Sequence, residues 1–226
     1  MPRPRVHDLD HLLDVAEALA VESGPAAVTI RALSELTSVS NGAIYHAFGS
    51  RAGLLGRVWL RGAQRMLTVQ RGSVDDALAT GTAVDAIVAA ADAPARFLLD
   101  HPTAGQFLMI VSRRELLGSN DIPDALADDL RMLDSTLVEL FVRLSTEMWN
   151  RADRTAVAVI KDCTVELPAA LLLRGRRAPD ASVRERLAAA VRGVLTLPPP
   201  PPPPKSSYPR HPRKVAHDDS YARNSQ

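Results

Sequence analysis

Between Thr29 and Ser50 the chain reads TIRALSELTSVSNGAIYHAFGS, and its polar side chains are of a kind that recognises a partner without reacting with it. Asn41 both donates and accepts hydrogen bonds, and Tyr45 and His46 carry polar tips on planar bodies. Gly42 and Ala43 add no bulk that would hold the backbone away from what it meets. The hydroxyls of Thr29 and Ser40, the guanidinium groups of Arg31 and Arg51, and the free amides at helix starts suit phosphate oxygens. The chain assembles no catalyst: it has no nucleophile elbow, no glycine-rich phosphate loop after a strand, and no His or carboxylate pair at ligand spacing. Asp100, His101 and Arg113 stand near one another in sequence and could line a cavity, but a capped helix end accounts for them with less. No enzyme, cofactor or metal site is expected.

Those side chains need two short helices on a tight turn to be presented together. Thr29 is a good N-cap, and Ile30, Leu33 and Leu36 give the helix after it an apolar face. The polar turn from Thr37 to Ser40, with Val39 as an apolar plug, stops that helix near Thr37. Ser40 or Asn41 then caps a second helix that buries Ile44 with Ala47 or Phe48. The result is a helix-turn-helix, whose second helix lies in the DNA major groove with its N-terminal residues at the base edges. The same corner also occurs in proteins that never meet DNA, so a helical adaptor or protein-interaction module stays open as the alternative.

The run VTIRALSELTSVSNGAIYHAFGSRAGLL, with an amphipathic helix before it and a longer one after, resembles the N-terminal domain of the TetR family of bacterial transcriptional regulators over about residues 8–66. Thr29, Gly42, Tyr45, Phe48 and Arg51 fall at that family's characteristic positions. Ser38 departs by standing where a turn glycine is usual, which requires a left-handed serine or a different turn. Arg51 departs by replacing a lysine, keeping the charge but offering a fork instead of a point. The resemblance implies DNA-binding roles for Thr29, Arg31, Ser40, Asn41, Gly42, Ala43, Tyr45, His46 and Arg51. It also implies a repressor released from its operator by a small-molecule effector, and pairing of the last two long helices, about 153–173 and 182–197, with their copies in a second subunit. From the residues alone, those helices serve an intramolecular core equally well. Two heads on a symmetry axis would read a palindromic stretch of double-stranded DNA, which a single short helix touches too little to select; a homodimer is therefore expected.

With 226 residues the chain can bury a sizeable core, and its net charge of +1 does not advertise a polyanionic partner. The distribution says more: from Thr29 to Arg71 the charged residues are Arg31, Arg51, Arg57, Arg61, Arg65 and Arg71 against Glu35. That predicts a local positive field on the segment suspected of meeting phosphates. Cys163 stands alone, so no disulfide framework is expected; a small buried apolar role competes with a redox one. The start MPRPRVHDLD has no apolar core of a signal peptide and no later run approaches a membrane span, which predicts a cytoplasmic protein.

Apolar periodicity predicts helices over 7–22, 51–70, 82–101 with Pro94 bending or restarting it, 103–117, 123–148, 151–173 and, after a break at Gly175, 182–197, and no strand pattern appears. Leu126, Leu130, Leu133, Leu137, Leu140 and Leu144 form a heptad-like seam. The fold class expected is all-α, with a three-helix DNA-binding domain at 1–70 (motif about 29–48) and a helical ligand-binding and dimerisation domain at 71–197. A proline run and tail follow at 198–226. Arg3 and Arg5 in the leader read as a frayed end or as a minor-groove arm. Phe97, Phe107, Met109, Met132, Phe141, Met148 and Trp149 are candidate walls of an apolar pocket for a lipophilic ligand, against a reading as ordinary core. A chain ending at Leu197 keeps every periodic segment and is expected to lose no stability.

Overall fold

Small polar side chains decide where the N-terminal helices begin. In the computed structural model, which describes residues 6–173 and 179–202, α1 (Val6–Ser23) stops at Gly24, whose φ of 86° is open to glycine, and a 3-10 turn at Pro25–Ala27 follows. Thr29 accepts from the Ala32 amide at 3.0 Å and opens α2 (Ile30–Thr37). Ser40 accepts from Ala43 at 3.3 Å and opens α3 (Asn41–Phe48), and Ser50 accepts from Gly53 at 2.8 Å and opens α4 (Arg51–Thr80). Each oxygen satisfies an amide that has no partner within its own helix.

The body continues with α5 (Ala83–Asp100), α6 (Pro102–Ile110), α7 (Arg113–Leu117), α8 (Asp124–Trp149), α9 (Arg154–Lys161) and α10 (Ala181–Leu195). The fold is all-α, with no strand among the described residues. The N-terminal core joins Leu12, Ala16 and Ala20 of α1 to Leu33, Ile44, Phe48, Leu54 and Val58, and it also takes in Phe107, Val111 and Leu116 from the body. Leu60 and Leu67 of α4 meet Leu126, Leu130 and Leu133 of α8, so the leucine seam packs within the chain. A third core gathers Val74, Ile87, Leu144, Ile160, Cys163, Leu187 and Val191. Burial pushes the Cys163 thiol up to about 11, the behaviour of a small apolar core residue.

Several expected elements differ. Leu36 is 60% exposed, because successive positions turn by about 100° and the face that α1 and α3 cover is centred on Leu33. The helix expected to end at Gln70 runs on to Thr80, so the boundary expected at 70–71 falls inside α4. The stretch 103–117 is two helices, since Val111 is extended and Ser112 caps α7 through the Glu115 amide. Pro94 does not restart α5. The Ala90 carbonyl, which the missing N–H of Pro94 leaves free, accepts from the Gln70 side-chain amide of α4 at 2.9 Å. Beyond α9 the chain keeps coiling in wider π turns at Asp162–Glu166 and Ala169–Leu173, on either side of Pro168.

The start of the proline run packs. Arg151, paired with Asp153 at 2.7 Å, donates to the Pro200 carbonyl at 2.9 Å, and the Thr155 hydroxyl lies 3.2 Å from the same oxygen. Prolines accept and do not donate, so this contact suits them. Ending the chain at Leu197 is therefore expected to lower the thermal midpoint by about 2–4 °C relative to ending it at Pro202, which calorimetry of the two truncations checks. Arg3, Arg5, the break expected at Gly175 and the tail from residue 203 lie outside the described residues.

Candidate nucleic-acid interface

The recognition face is made by what α3 turns inward. Ile44 is fully buried and Phe48 nearly so, which leaves Asn41, Gly42, Tyr45 and His46 exposed on the other side. Ile30 and Arg31 of α2 lie beside them, and these six residues line one shallow open groove. Ala43 is half-buried and contributes its amide to the Ser40 cap, so its part is in the backbone. Thr29 and Ser40 likewise use their oxygens as caps, which leaves each O–H to donate elsewhere. Ser38 adopts the left-handed conformation, φ 59° and ψ 14°, where a glycine costs less. The Thr37 hydroxyl steadies the turn by donating to the Leu33 carbonyl at 2.7 Å.

Arg51 does not reach outward in this arrangement. Its Nε donates to the Val28 carbonyl at 2.7 Å and its Nη2 to the Pro25 carbonyl, so the fork ties the start of α4 to the turn before α2. It thereby places Thr29, a role that a lysine's single ammonium would fill less well. The corner between α3 and α4 is also held from the body: the Ser50 hydroxyl donates to the Asp121 carbonyl at 2.6 Å, and Pro123 lies against Gly49 and Gly53.

The positive field expected from the arginine count is largely neutralised. Arg31 pairs with Glu35 at 2.9 Å, Arg57 with Asp129 at 3.4 Å and Arg71 with Glu139 at 3.5 Å. Arg61 is drawn in between Asp14 at 2.8 Å and Glu17 at 3.2 Å, with only 14% of its side chain exposed. Counting along residues 29–71 omits the acids that α1 and α8 bring from elsewhere in the chain.

The seven candidate pocket walls are not brought together. Phe97 and Met109 do line a cavity of ≈ 200 Å³, with Trp59, Met66, Leu98 and Leu108 among its other walls. Phe107 belongs to the N-terminal core and Phe141 to the third core, against which Met148 and Trp149 pack. Met132 is 65% exposed, in a surface cleft between α4 and α8. Helical period shows which residues turn inward but not which helix they meet. A usable signal was the pair Gly62 and Gly105, where a Cβ would lie 3.4 Å and 2.5 Å from Leu108 and Leu98, because a glycine inside a helix marks a close approach. Asp100, His101 and Arg113 do not converge: the His101 ring lies tilted against Phe97 with centroids 5.1 Å apart, and Arg113 forms a fork with Asp134 at 2.7 and 2.8 Å. That guanidinium holds the Asp134 carboxyl below the usual carboxylate range. No described helix is long and apolar enough to cross a membrane.

Residues 12–58 match the family model of bacterial regulatory proteins, tetR family. A search of curated proteins finds no match to the chain. Among solved structures, a bacterial regulatory protein in the tetR family from Rhodococcus RHA1 superposes with a TM-score of 0.63 at 15% identity, over 85% of this chain and 97% of that one. The ketosteroid transcriptional regulator KstR2 of Mycobacterium tuberculosis gives 0.57 at 15% identity, over 86% and 96%. The TetR family transcriptional regulator PfmR from Thermus thermophilus gives 0.57 at 18% identity, over 83% and 98%. At these identities the structures speak for the fold alone: residues 12–58 match the tetR-family model, and the chain as a whole has the fold of the TetR-family regulators on which it superposes.

Proposed function

We propose that the protein is a DNA-binding transcriptional regulator, a homodimeric repressor that occupies a palindromic operator and leaves it when a small lipophilic effector binds the body. The observation that carries this reading is the exposed set Asn41, Gly42, Tyr45 and His46 on a helix whose other side, Ile44 and Phe48, is locked into the core. A surface of donors and acceptors on a rigid helix, with capping hydroxyls and free amides at its edge, matches base edges and phosphates in one approach. Dimerisation is supported by α10, whose Leu187, Val191 and Leu195 turn inward and so leave Ala189, Gly193 and Val194 exposed to a second copy. Repression is the sign that needs no further contact, since a protein seated on an operator excludes polymerase. The cytoplasm is where such a protein meets its DNA. The cavity lined by α4, α5 and α6 supports the effector.

The test is selection of binding sites from random duplexes at fixed salt, followed by titration of variants. Asn41→Ala and His46→Ala are each expected to change base preference by about 1–3 kcal/mol at one position, whereas Tyr45→Ala weakens all sequences alike. Unchanged affinity and preference in all three would return the chain to the adaptor reading.

A further inference from the structure

The cavity has a chemical character that restricts what enters it. Its walls come from α4 (Trp59, Met66), α5 (Phe97, Leu98) and α6 (Leu108, Met109), with Ala63, Pro94 and Gly105 completing it, and no charged or hydroxyl side chain is among them. The two polar groups nearest to serving are already taken. The Trp59 indole N–H donates to the Val111 carbonyl at 3.1 Å, and the Ala90 carbonyl freed by Pro94 is held by Gln70. Arg113 lies 5.9 Å from the centre of the Trp59 ring but is not among the cavity walls, and both its terminal nitrogens are held by Asp134. A carboxylate, phosphate or ammonium placed here would lose its water and gain no partner, which costs several kcal/mol.

Size narrows the choice further. A dry engineered cavity of about 150 Å³ accepts benzene, so ≈ 200 Å³ holds a somewhat larger molecule, of about eight carbon atoms on the same scale. Gly105 fixes this volume: a Cβ there would lie 2.5 Å from Leu98 Cδ2 and 3.2 Å from Leu98 Cα, so α5 and α6 close the floor at backbone distance. A four-ring skeleton or a long acyl chain exceeds it.

We infer that this cavity is a binding site for a small uncharged hydrocarbon-like molecule of about eight to ten carbons, such as a single ring with a short alkyl chain whose end reaches the open side. The inference rests on the effector reading above and names its chemical class. The site also has a route outward. The Trp59 hydrogen bond ends on Val111, at the break between α6 and α7, and the loop after α7 sits on the corner of α3 and α4 through Asp121 and Ser50. A molecule that presses on the indole therefore acts on the segment that touches the recognition corner.

The experiment uses the full chain with Trp149→Phe, so that Trp59 is the remaining tryptophan, and reads its emission and the thermal midpoint without DNA. The probes are n-butylbenzene and the matched acid 4-phenylbutyrate. Saturable quenching and a raised midpoint with butylbenzene, and binding at least about 100-fold weaker with the acid, are expected. Ala63→Phe fills the cavity and should abolish butylbenzene binding; Ala63→Met is the second variant if the larger ring disturbs the fold. Equal binding of the acid, persistence of binding in a folded filled variant, or no butylbenzene binding overturns the inference. Operator affinity is then measured with and without butylbenzene: saturable binding with unchanged operator affinity upholds the ligand class and sinks the release mechanism, so the two readings fail separately.

Discussion

Replacing Gly53 with alanine is expected to cost about 3 kcal/mol of stability and to lower the thermal midpoint by roughly 6–12 °C. A Cβ at this position would overlap the Phe48 carbonyl oxygen and stand 3.2 Å from Pro123 Cδ, and the first of these is backbone that cannot rotate away. The first turn of α4 must then separate from the end of α3, which moves the recognition helix from its seat. Loss of DNA binding should therefore accompany the loss of stability, and should persist at temperatures where circular dichroism reports a folded chain. Gly72→Ala on the same helix is the control. No atom lies within 4 Å of its Cβ position, so the better helix former should be neutral or stabilise by about 1 kcal/mol. Equal effects of the two substitutions would show that the Gly53 contact does not hold the corner.

Arg61→Leu is expected to destabilise by about 3–5 kcal/mol, because it leaves the Glu17 carboxylate, 10% exposed, without its counter-charge. Asp14 is 63% exposed and can return to water, so Glu17 carries the penalty. Adding Glu17→Leu should restore most of the loss, since an apolar pair of similar volume substitutes for a buried ion pair at little cost. Urea unfolding of the single and double variants measures this. If the double variant is no more stable than Arg61→Leu, the arginine acts through the packing of its stem and the charge pairing of α1 with α4 counts for little.

The same arginine marks the limit of what could be read along the chain. Thr29, Ser40 and Ser50 were legible because a cap acts on amides two or three residues away, and the leucine seam of α8 because helix period is local. The outward set on α3 followed from the inward pair Ile44 and Phe48. Arg57 and Arg61 looked like part of a positive field because their acidic partners, Asp129 and Glu17, lie 72 and 44 residues away. Pro94 looked like a bend or restart because its remedy, the Gln70 amide, comes from another helix. The break at Ser112 did have a local signal, a serine three residues before Glu115, within a run of apolar residues that suggested continuity. The cavity was missed as a set because three helices build it, and only the glycines that let them approach are visible in one dimension.

α4 begins at the recognition corner and ends thirty residues later beside α5 without interruption. At 1.5 Å per residue that is a rod about 45 Å long, with no proline inside it. Its geometry sets the scale of motion that the proposed release requires. A tilt of about 5°, pivoting at the far end, carries the near end through about 4 Å, roughly the rise of one base pair. In the proposed dimer the two heads would swing in opposite senses, and their separation would change by about 8 Å against a groove repeat of about 34 Å. An effector need not unfold or uncover anything to dislodge such a protein from its operator; it need only throw two rigid arms out of phase with the DNA.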